Sequence, residues 1–325
     1  MVEFLHVLRG WGASHDGYPA MSDDNAALAR GELAARVAGM AEELRDLPQV
    51  IGLLGANGTD WAVAQLAAWT AGKTVVLLPT FFSLTQLEHV LRDAGVAHVI
   101  ATRDAFGPAA TLGVDTTPVS DRRAETFPAP APGAGVIVYT SGSTGHPKGV
   151  RLGLEQIDWQ ARALATAIEA NERDLHLSVL PLSLLLETIA AVCVPVLVGA
   201  RTHFAAAIVH NLGAGRPADI CAAFECRQPT TTVFVPQLLA DWIAQLEARG
   251  MRPPESLRIV AVGGAPISEM LAARAWELGI PVHEGYGLTE CCSVVAVNRP
   301  GRARRERSAS RCPASMCESR RARWW

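Results

Sequence analysis

The chain has little lysine, little cysteine and no leader-like start. Of its 29 basic residues only Lys73 and Lys148 are lysines; the others are arginines, a skew that reads as the mark of a GC-rich genome and makes each lysine notable. Seven cysteines in 325 residues are too sparse for a disulfide scaffold. The first residues, MVEFLHVLRGWGASHDG, lack a basic stretch followed by a long apolar one, which argues against a secretory signal and for a reducing cytoplasm. A net charge of −3 excludes a chain that binds polyanions as a whole. Apolar residues make up 49% and charged residues 19%, which excludes intrinsic disorder and supplies a core. The length suits one large domain or about two ordinary ones. No internal repeat is visible.

The end of the chain has a different character. Residues 302–325 carry eight Arg and two Glu, a net +6 that leaves −9 for the body, and they contain no Val, Ile, Leu or Phe. With neither helical nor strand periodicity, they read as a disordered or frameshifted tail. A basic arm for nucleic acid or an acidic membrane surface is the competing reading.

The body alternates strand and helix patterns every 20–30 residues, which predicts α/β layers with a largely parallel sheet. A helix is expected over 26–47 from the spacing of Leu28, Leu33, Val37, Met40 and Leu44. Strands are expected at Val50–Leu54, Thr74–Leu78 and Val96–Ala101. Between them, Thr59 opens one helix that stops at Gly72, and a Thr85–Glu88 capping box opens another that ends at Gly95. Residues 107–135, rich in Pro, Ala, Gly and Thr, read as a surface connection. Val136–Thr140 is a strand, followed by a Gly-rich turn and a helix from Leu154 to Ala170. Strands are further expected at Thr231–Val235, Leu257–Val262 and Ile280–His283, and helices at Gln237–Ala248 and Ile267–Leu278. Leu177–Ala200 has the length of a membrane span, but Glu187 at its centre and Pro181 and Pro195 argue for a strand, a turn and a buried helix.

Residues 136–150 read VIVYTSGSTGHPKGV. An apolar strand runs into a loop of hydroxyls and glycines that ends in Lys148. Glycines let backbone N–H groups approach closely, hydroxyls donate hydrogen bonds and the lysine adds a point charge, all of which suit a polyphosphate. A Walker A loop needs Lys followed by Ser or Thr; here Lys148 is followed by Gly149, and Gly142 is followed five positions later by Pro147.

YTSGSTGHPKG resembles the phosphate-loop signature of the AMP-forming adenylating enzymes, the superfamily of acyl-CoA synthetases, luciferases and nonribosomal peptide adenylation domains. Three more segments agree in the same order: Trp69–Pro79 with Leu84–Ile100, Gly263–Pro266, and Gly285–Glu290. The likeness spans residues 25–301. It implies the family's large N-terminal adenylation domain, with layered sheets flanked by helices, over 1–301. The small C-terminal domain, with its ribose aspartate, hinge and lysine, has no counterpart in residues 302–325, so weak or no adenylation is expected from the chain as it stands.

By the same resemblance, the chain activates a carboxylic acid with ATP and Mg²⁺ and passes the acyl-adenylate to coenzyme A. Thr140, Ser141, Gly142, Ser143, Thr144, Gly145 and Lys148 are then expected at the β- and γ-phosphates. Gly263, Gly264, Ala265 and Pro266 are expected beside the adenine and the acyl pocket. In the Gly285-Tyr286-Gly287 segment Tyr286 is expected against adenine, Thr289 on the α-phosphate and Glu290 at the metal. Lys148, Thr289 and Glu290 form the catalytic set. Leu180–Glu187 resembles a fatty-acyl synthetase segment in which Leu184 replaces a histidine, so a fatty acid is the expected substrate. A non-catalytic nucleotide-binding chain, or half of a split ligase working with a separate C-terminal chain or an acyl carrier, is the alternative. No nucleic-acid partner is expected. Cys221–Cys226 and Cys291–Cys292 lack zinc spacing, and His176, His203, His210 and His283 have no visible Ser/Asp partners for a hydrolase triad.

Overall fold

A computed structural model describes residues 2–14, 16–140 and 147–298, with the backbone of 310–311. Among them two sheets form. The smaller has six strands, in the order Asp115–Pro118, His98–Ala101, Val50–Leu54, Thr74–Leu78, Gly135–Thr140 and Lys148–Gly153. Its first five strands run parallel, and Lys148–Gly153 closes the edge antiparallel to Gly135–Thr140. Central parallel strands are covered on both faces, which is why TVVLL and GVIVY are continuous apolar runs and are buried along their length. The larger sheet has nine strands. Ile259–Val262, Thr231–Phe234, Leu175–Ser178, Arg201–Phe204 and Pro19–Ser22 run parallel through its middle, while Val282–Leu288, Ser293–Val297 and Ser310–Arg311 extend one side.

The helix Thr59–Thr70 is buried on every face, from Trp61 to Trp69, because it crosses between layers and not over a surface. Trp69 packs on Phe4 with ring centroids 5.8 Å apart and donates its indole N–H to the Gly135 carbonyl at 3.0 Å. Asn57, just before this helix, is also buried. It donates to the Leu180 carbonyl at 2.6 Å and accepts from the Leu182 N–H at 2.9 Å. One side chain thus joins the loop after Val50–Leu54 in one sheet to the turn after Leu175–Ser178 in the other.

Several expectations are corrected. The helix predicted over 26–47 spans Arg30–Leu44; Ala27–Ala29 is a strand pairing antiparallel with Pro19–Ser22, so Leu28 is buried from a sheet edge. Thr59 is the first residue of its helix and not the cap. Its N–H and Oγ1 both donate to Asp23 Oδ2, at 2.8 and 2.9 Å, so a carboxylate distant in sequence does the capping. The capping box lies two residues before the expected one: Ser83 Oγ accepts from Gln86 N–H at 3.3 Å, and Gln86 returns to Ser83 N–H at 2.9 Å. Within the expected surface connection, Asp115–Pro118 adds an edge strand beside His98–Ala101; its polar, half-exposed pattern concealed it. Leu177–Ala200, by contrast, is as expected: the strand Leu175–Ser178, a turn at Pro181 and a buried helical run over Leu185–Val198, which loosens into a π-type turn at Ile189–Cys193. No helix among the described residues is long and apolar enough to cross a membrane.

Candidate functional site

The C-terminal ends of both sheets open onto one cavity of about 500 Å³. In open parallel sheets this is where loops leave in opposite directions and a ligand finds room. Thr140 lines the cavity at the end of Gly135–Thr140, and Gly263, Gly264, Gly285, Tyr286, Gly287 and Thr289 line it from the larger sheet. The structure therefore brings together seven of the residues named from sequence. Lys148 pairs with Thr140 across the antiparallel ladder and is exposed at the rim, outside the lining. Ala265, Pro266 and Glu290 are exposed and also lie outside it. Ser141, Gly142, Ser143, Thr144 and Gly145 fall outside the described residues.

Local sequence explains the glycines. Gly263 follows the strand Ile259–Val262 and donates to the Phe234 carbonyl at 3.1 Å. A Cβ there would lie 3.4 Å from the Gly285 carbonyl oxygen, so two adjacent strand ends approach closely. Gly264 has φ of +83°, a left-handed conformation that turns the chain away from the sheet. Gly285–Gly287 has the composition of a turn yet lies inside the strand Val282–Leu288, which pairs with Ser293–Val297. Cys292 and Ser293 close that hairpin with φ of +61° and +83°, so the backbone beside Thr289 is held in an uncommon conformation. Tyr286 leaves 59% of its surface exposed at the mouth, a flat ring without a packing partner in the core.

The cavity continues inward between the larger sheet and the helical run Leu185–Val198. Leu184, Leu185, Leu186, Ala190 and Val194 form an apolar wall opposite Val233 and Ala261. Tyr139 sits beside Thr140 and donates its hydroxyl to Asp93 at 2.6 Å; burial and then that carboxylate push its phenol pKa well up, so it stays protonated. Sequence reasoning missed His176, a buried polar residue of the inner wall. Its Nδ1 lies 3.0 Å from Thr231 Oγ1 in a hydrogen bond, and its Nε2 faces Glu187 Oε1 at 3.9 Å, an ion-pair separation and not a hydrogen bond; no sequence spacing links the three. Outside the cavity, His203 does gain a serine and an aspartate, contrary to expectation. Its Nδ1 lies 3.0 Å from Ser22 Oγ and its Nε2 3.7 Å from Asp24 Oδ1, where they tie together strand ends at one side of the sheet.

Among the described residues no group of three or more His, Cys, Asp and Glu side chains could hold a metal ion. A hard cation bound through one carboxylate and substrate phosphates needs no such cage, and Glu290 is the carboxylate next to Thr289.

Comparisons with known proteins bear on the family and the fold. A family profile described as AMP-binding enzyme matches residues 8–318. Feruloyl-CoA synthase of an Amycolatopsis species is 27% identical over 290 residues, covering 86% of this chain and 57% of that protein. The 2-succinylbenzoate–CoA ligase of Bacillus velezensis is 28% identical over 276 residues, covering 82% and 54%. The chain thus spans about half the length of these curated relatives. Among solved structures, o-succinylbenzoate CoA synthetase from Bacillus subtilis, in complex with its acyl-adenylate intermediate, superposes with a TM-score of 0.77 at 23% identity over 92% of this chain and 61% of that one. The N-terminal domain of FACL13 from Mycobacterium tuberculosis gives 0.78 at 21% identity, over 92% and 79%. At these identities the structural likeness is one of fold.

Proposed function

The chain belongs to the AMP-binding enzyme family, and from that premise we propose that it binds ATP and a carboxylic acid and joins them as an acyl-adenylate, the first half-reaction of an acid–CoA ligase. A carboxylate oxygen bonds to the α-phosphorus while the bond to the leaving pyrophosphate breaks. The observation that carries the reading is the single cavity whose mouth gathers Thr140, Gly263, Gly264, Tyr286 and Thr289 and whose interior is apolar.

The roles follow from position. The Thr140 hydroxyl and Lys148, paired across the last rung of one antiparallel ladder, hold the terminal phosphates together with the Ser141–Gly145 segment. Gly263 and Gly264, with Ala265 and Pro266 beyond them, bring backbone against the adenine, and the exposed Tyr286 ring stacks on it. Thr289 donates to the α-phosphate. Glu290 contributes one ligand to Mg²⁺, which neutralises phosphate charge when bound. Positioning and charge neutralisation supply most of the acceleration in such a reaction. Residues 1–301 form the adenylating unit, and the acceptor thiol, coenzyme A or a carrier, engages the whole protein.

For the acid, several of the curated relatives carry names of aromatic acids, feruloyl and succinylbenzoate among them, while others are subunits of a plipastatin synthase. We therefore favour an aromatic acid over the fatty acid expected from Leu180–Glu187; the Leu184–Leu186 wall suits a flat ring as well as an acyl chain. The test is calorimetric titration of the full chain with ATP and then with aryl and fatty acids, followed by acid-dependent exchange of labelled pyrophosphate into ATP. ATP binding and tighter binding of aryl acids are expected. Absence of binding by ATP and by every acid overturns the proposal.

A further inference from the structure

The cavity follows the strands of the larger sheet along their length. Thr231 and Ile259 are register partners, as are Val233 and Ala261, and Thr231 also partners His176. Partners in a parallel pair share a face of the sheet, and residues two apart return to it. His176, Thr231 and Ile259 therefore form one row across three strands, and Val233 and Ala261 form the next. Val235 and Gly263 come two positions later, just past the strand ends at the mouth. All seven line the cavity. Four residues of extended chain separate Thr231 from Val235, about 13 Å. The cavity is thus a channel that leads inward from the mouth.

Ala261 stands midway along it. Its strand lies inside the sheet, bonded on one side to Thr231–Phe234 and on the other to Val282–Leu288. Val260 and Val262, which point to the other face, are 0% and 1% exposed, yet Ala261 is only half-buried. A residue so placed is reached from the face that carries the cavity. The helical run lies across that face: an ideal Cβ on Gly263 would be 4.0 Å from Leu186 Cδ2. Protein interiors are close-packed and keep few voids larger than a water molecule. A methyl at Ala261, where a larger side chain would fill the layer, keeps the channel open between its mouth and its inner row.

We propose that Ala261 sets the length of acid this chain accepts, and that the acid carries an extended apolar tail reaching past it toward His176, Thr231 and Ile259. This rests on the reading of the cavity as the acid pocket. It narrows the substrate class to aromatic acids whose ring stands off the carboxylate on a spacer or bears an apolar group at its far end. A ring bonded directly to the carboxylate leaves the inner row empty. At that inner end the Thr231 hydroxyl is engaged by His176 Nδ1 at 3.0 Å, and the Asp174 carboxylate, which also lines the cavity, by Arg258 Nε at 2.8 Å. Hydrocarbon suits the space better than a charged group.

The experiment is calorimetric titration of the full-length chain, in the presence of ATP, with benzoic acid and with phenylpropenoic acids bearing hydrogen, methyl, ethyl or propyl at the para position. In the wild-type chain affinity is expected to rise by about fourfold with each added carbon, and benzoic acid should bind most weakly. In Ala261→Leu, whose side chain projects into the channel, the ratio between the propyl and the unsubstituted acid should fall to within about threefold. Ala261→Val, the smaller step, should give an intermediate ratio. If ATP and acids bind but affinity is flat along the wild-type series, the inference fails while the acid pocket stands. An undiminished ratio in Ala261→Leu overturns the assignment to this residue. Loss of the fold in both variants, read by circular dichroism, means that Ala261 faces packed protein and overturns it too. If neither ATP nor any acid binds, the proposed function fails and this inference with it.

Discussion

Gly287 and Ser293 touch across the hairpin that closes the candidate site: an ideal Cβ on Gly287 would lie 1.8 Å from the Ser293 carbonyl oxygen. The obstacle is backbone and cannot rotate away. Gly287→Ala should therefore push the two strands apart, costing about 1–3 kcal/mol and weakening ATP binding through displacement of Tyr286 and Thr289. Gly10→Ala is the contrast. That glycine is exposed in the helix Glu3–Ser14 and a Cβ there meets nothing within 4 Å, so about 0.5–1 kcal/mol of stabilisation is expected. Urea midpoints of the two variants, with ATP titrations, check both statements; equal behaviour contradicts them.

The capping box makes a second pair of opposite expectations. Ser83 caps Leu84–Asp93, whereas Thr85 sits within its first turn. Ser83→Ala should cost about 1 kcal/mol, and Thr85→Ala should remain within about 0.5 kcal/mol of wild type. Thermal denaturation distinguishes them.

Stability should fall below neutral pH. Burial pushes the pKa of His283 below its ordinary 6.5, with the Arg258 charge acting in the same direction and hydrogen bonds opposing. Burial and then Arg227 push His203 down as well, against the nearby carboxylates of Asp24 and Asp23. With folded pKa values lowered, the unfolded chain binds protons first as pH drops through about 6.5, so both histidines stabilise the fold above that pH and the contribution is lost on acidification through their folded pKa values. The urea midpoint measured at pH 7.5 and 5.5 should decrease, and His283→Gln should reduce the decrease. A flat profile would falsify the linkage.

Asp174 and Arg258 form an ion pair at the N-terminal edge of the larger sheet. Arg258 Nε donates to Asp174 Oδ1 at 2.8 Å, its Nη2 donates to Oδ2, and Thr230 Oγ1 adds a bond at 2.8 Å. Burial alone would raise the Asp174 pKa, but Arg258, the Asn171 N–H and Thr230 outweigh it and hold the carboxyl below its usual 3.8. Asp174→Asn leaves the guanidinium facing a neutral amide and should cost about 3 kcal/mol. It should also remove part of the stability lost below about pH 4, where the lowered carboxylate protonates. Acid denaturation followed by circular dichroism tests both.

Much of the fold and site was legible because local chemistry writes it locally. Val50–Leu54, Thr74–Leu78 and Gly135–Thr140 announce themselves as buried parallel strands by unbroken apolar runs. The glycine, hydroxyl and lysine pattern of residues 140–148 carries its phosphate reading in adjacent residues, and Gly263–Gly264 and Gly285–Thr289 line the same cavity as Thr140. What stayed hidden depends on residues far apart in the chain. Asp23 caps the Thr59 helix from 36 positions away, Asn57 joins the two sheets across 123, and the polar strand Asp115–Pro118 is extended because His98–Ala101 offers it an edge. The composition and order of the motifs, set by the sequence alone, point to the family, its fold and the residues at the cavity mouth. Which residues line the interior was decided by tertiary packing, because only the stacking of a helix on a sheet sets Leu186 and Ala190 opposite Val233 and Ala261 and brings His176 within 3.9 Å of Glu187.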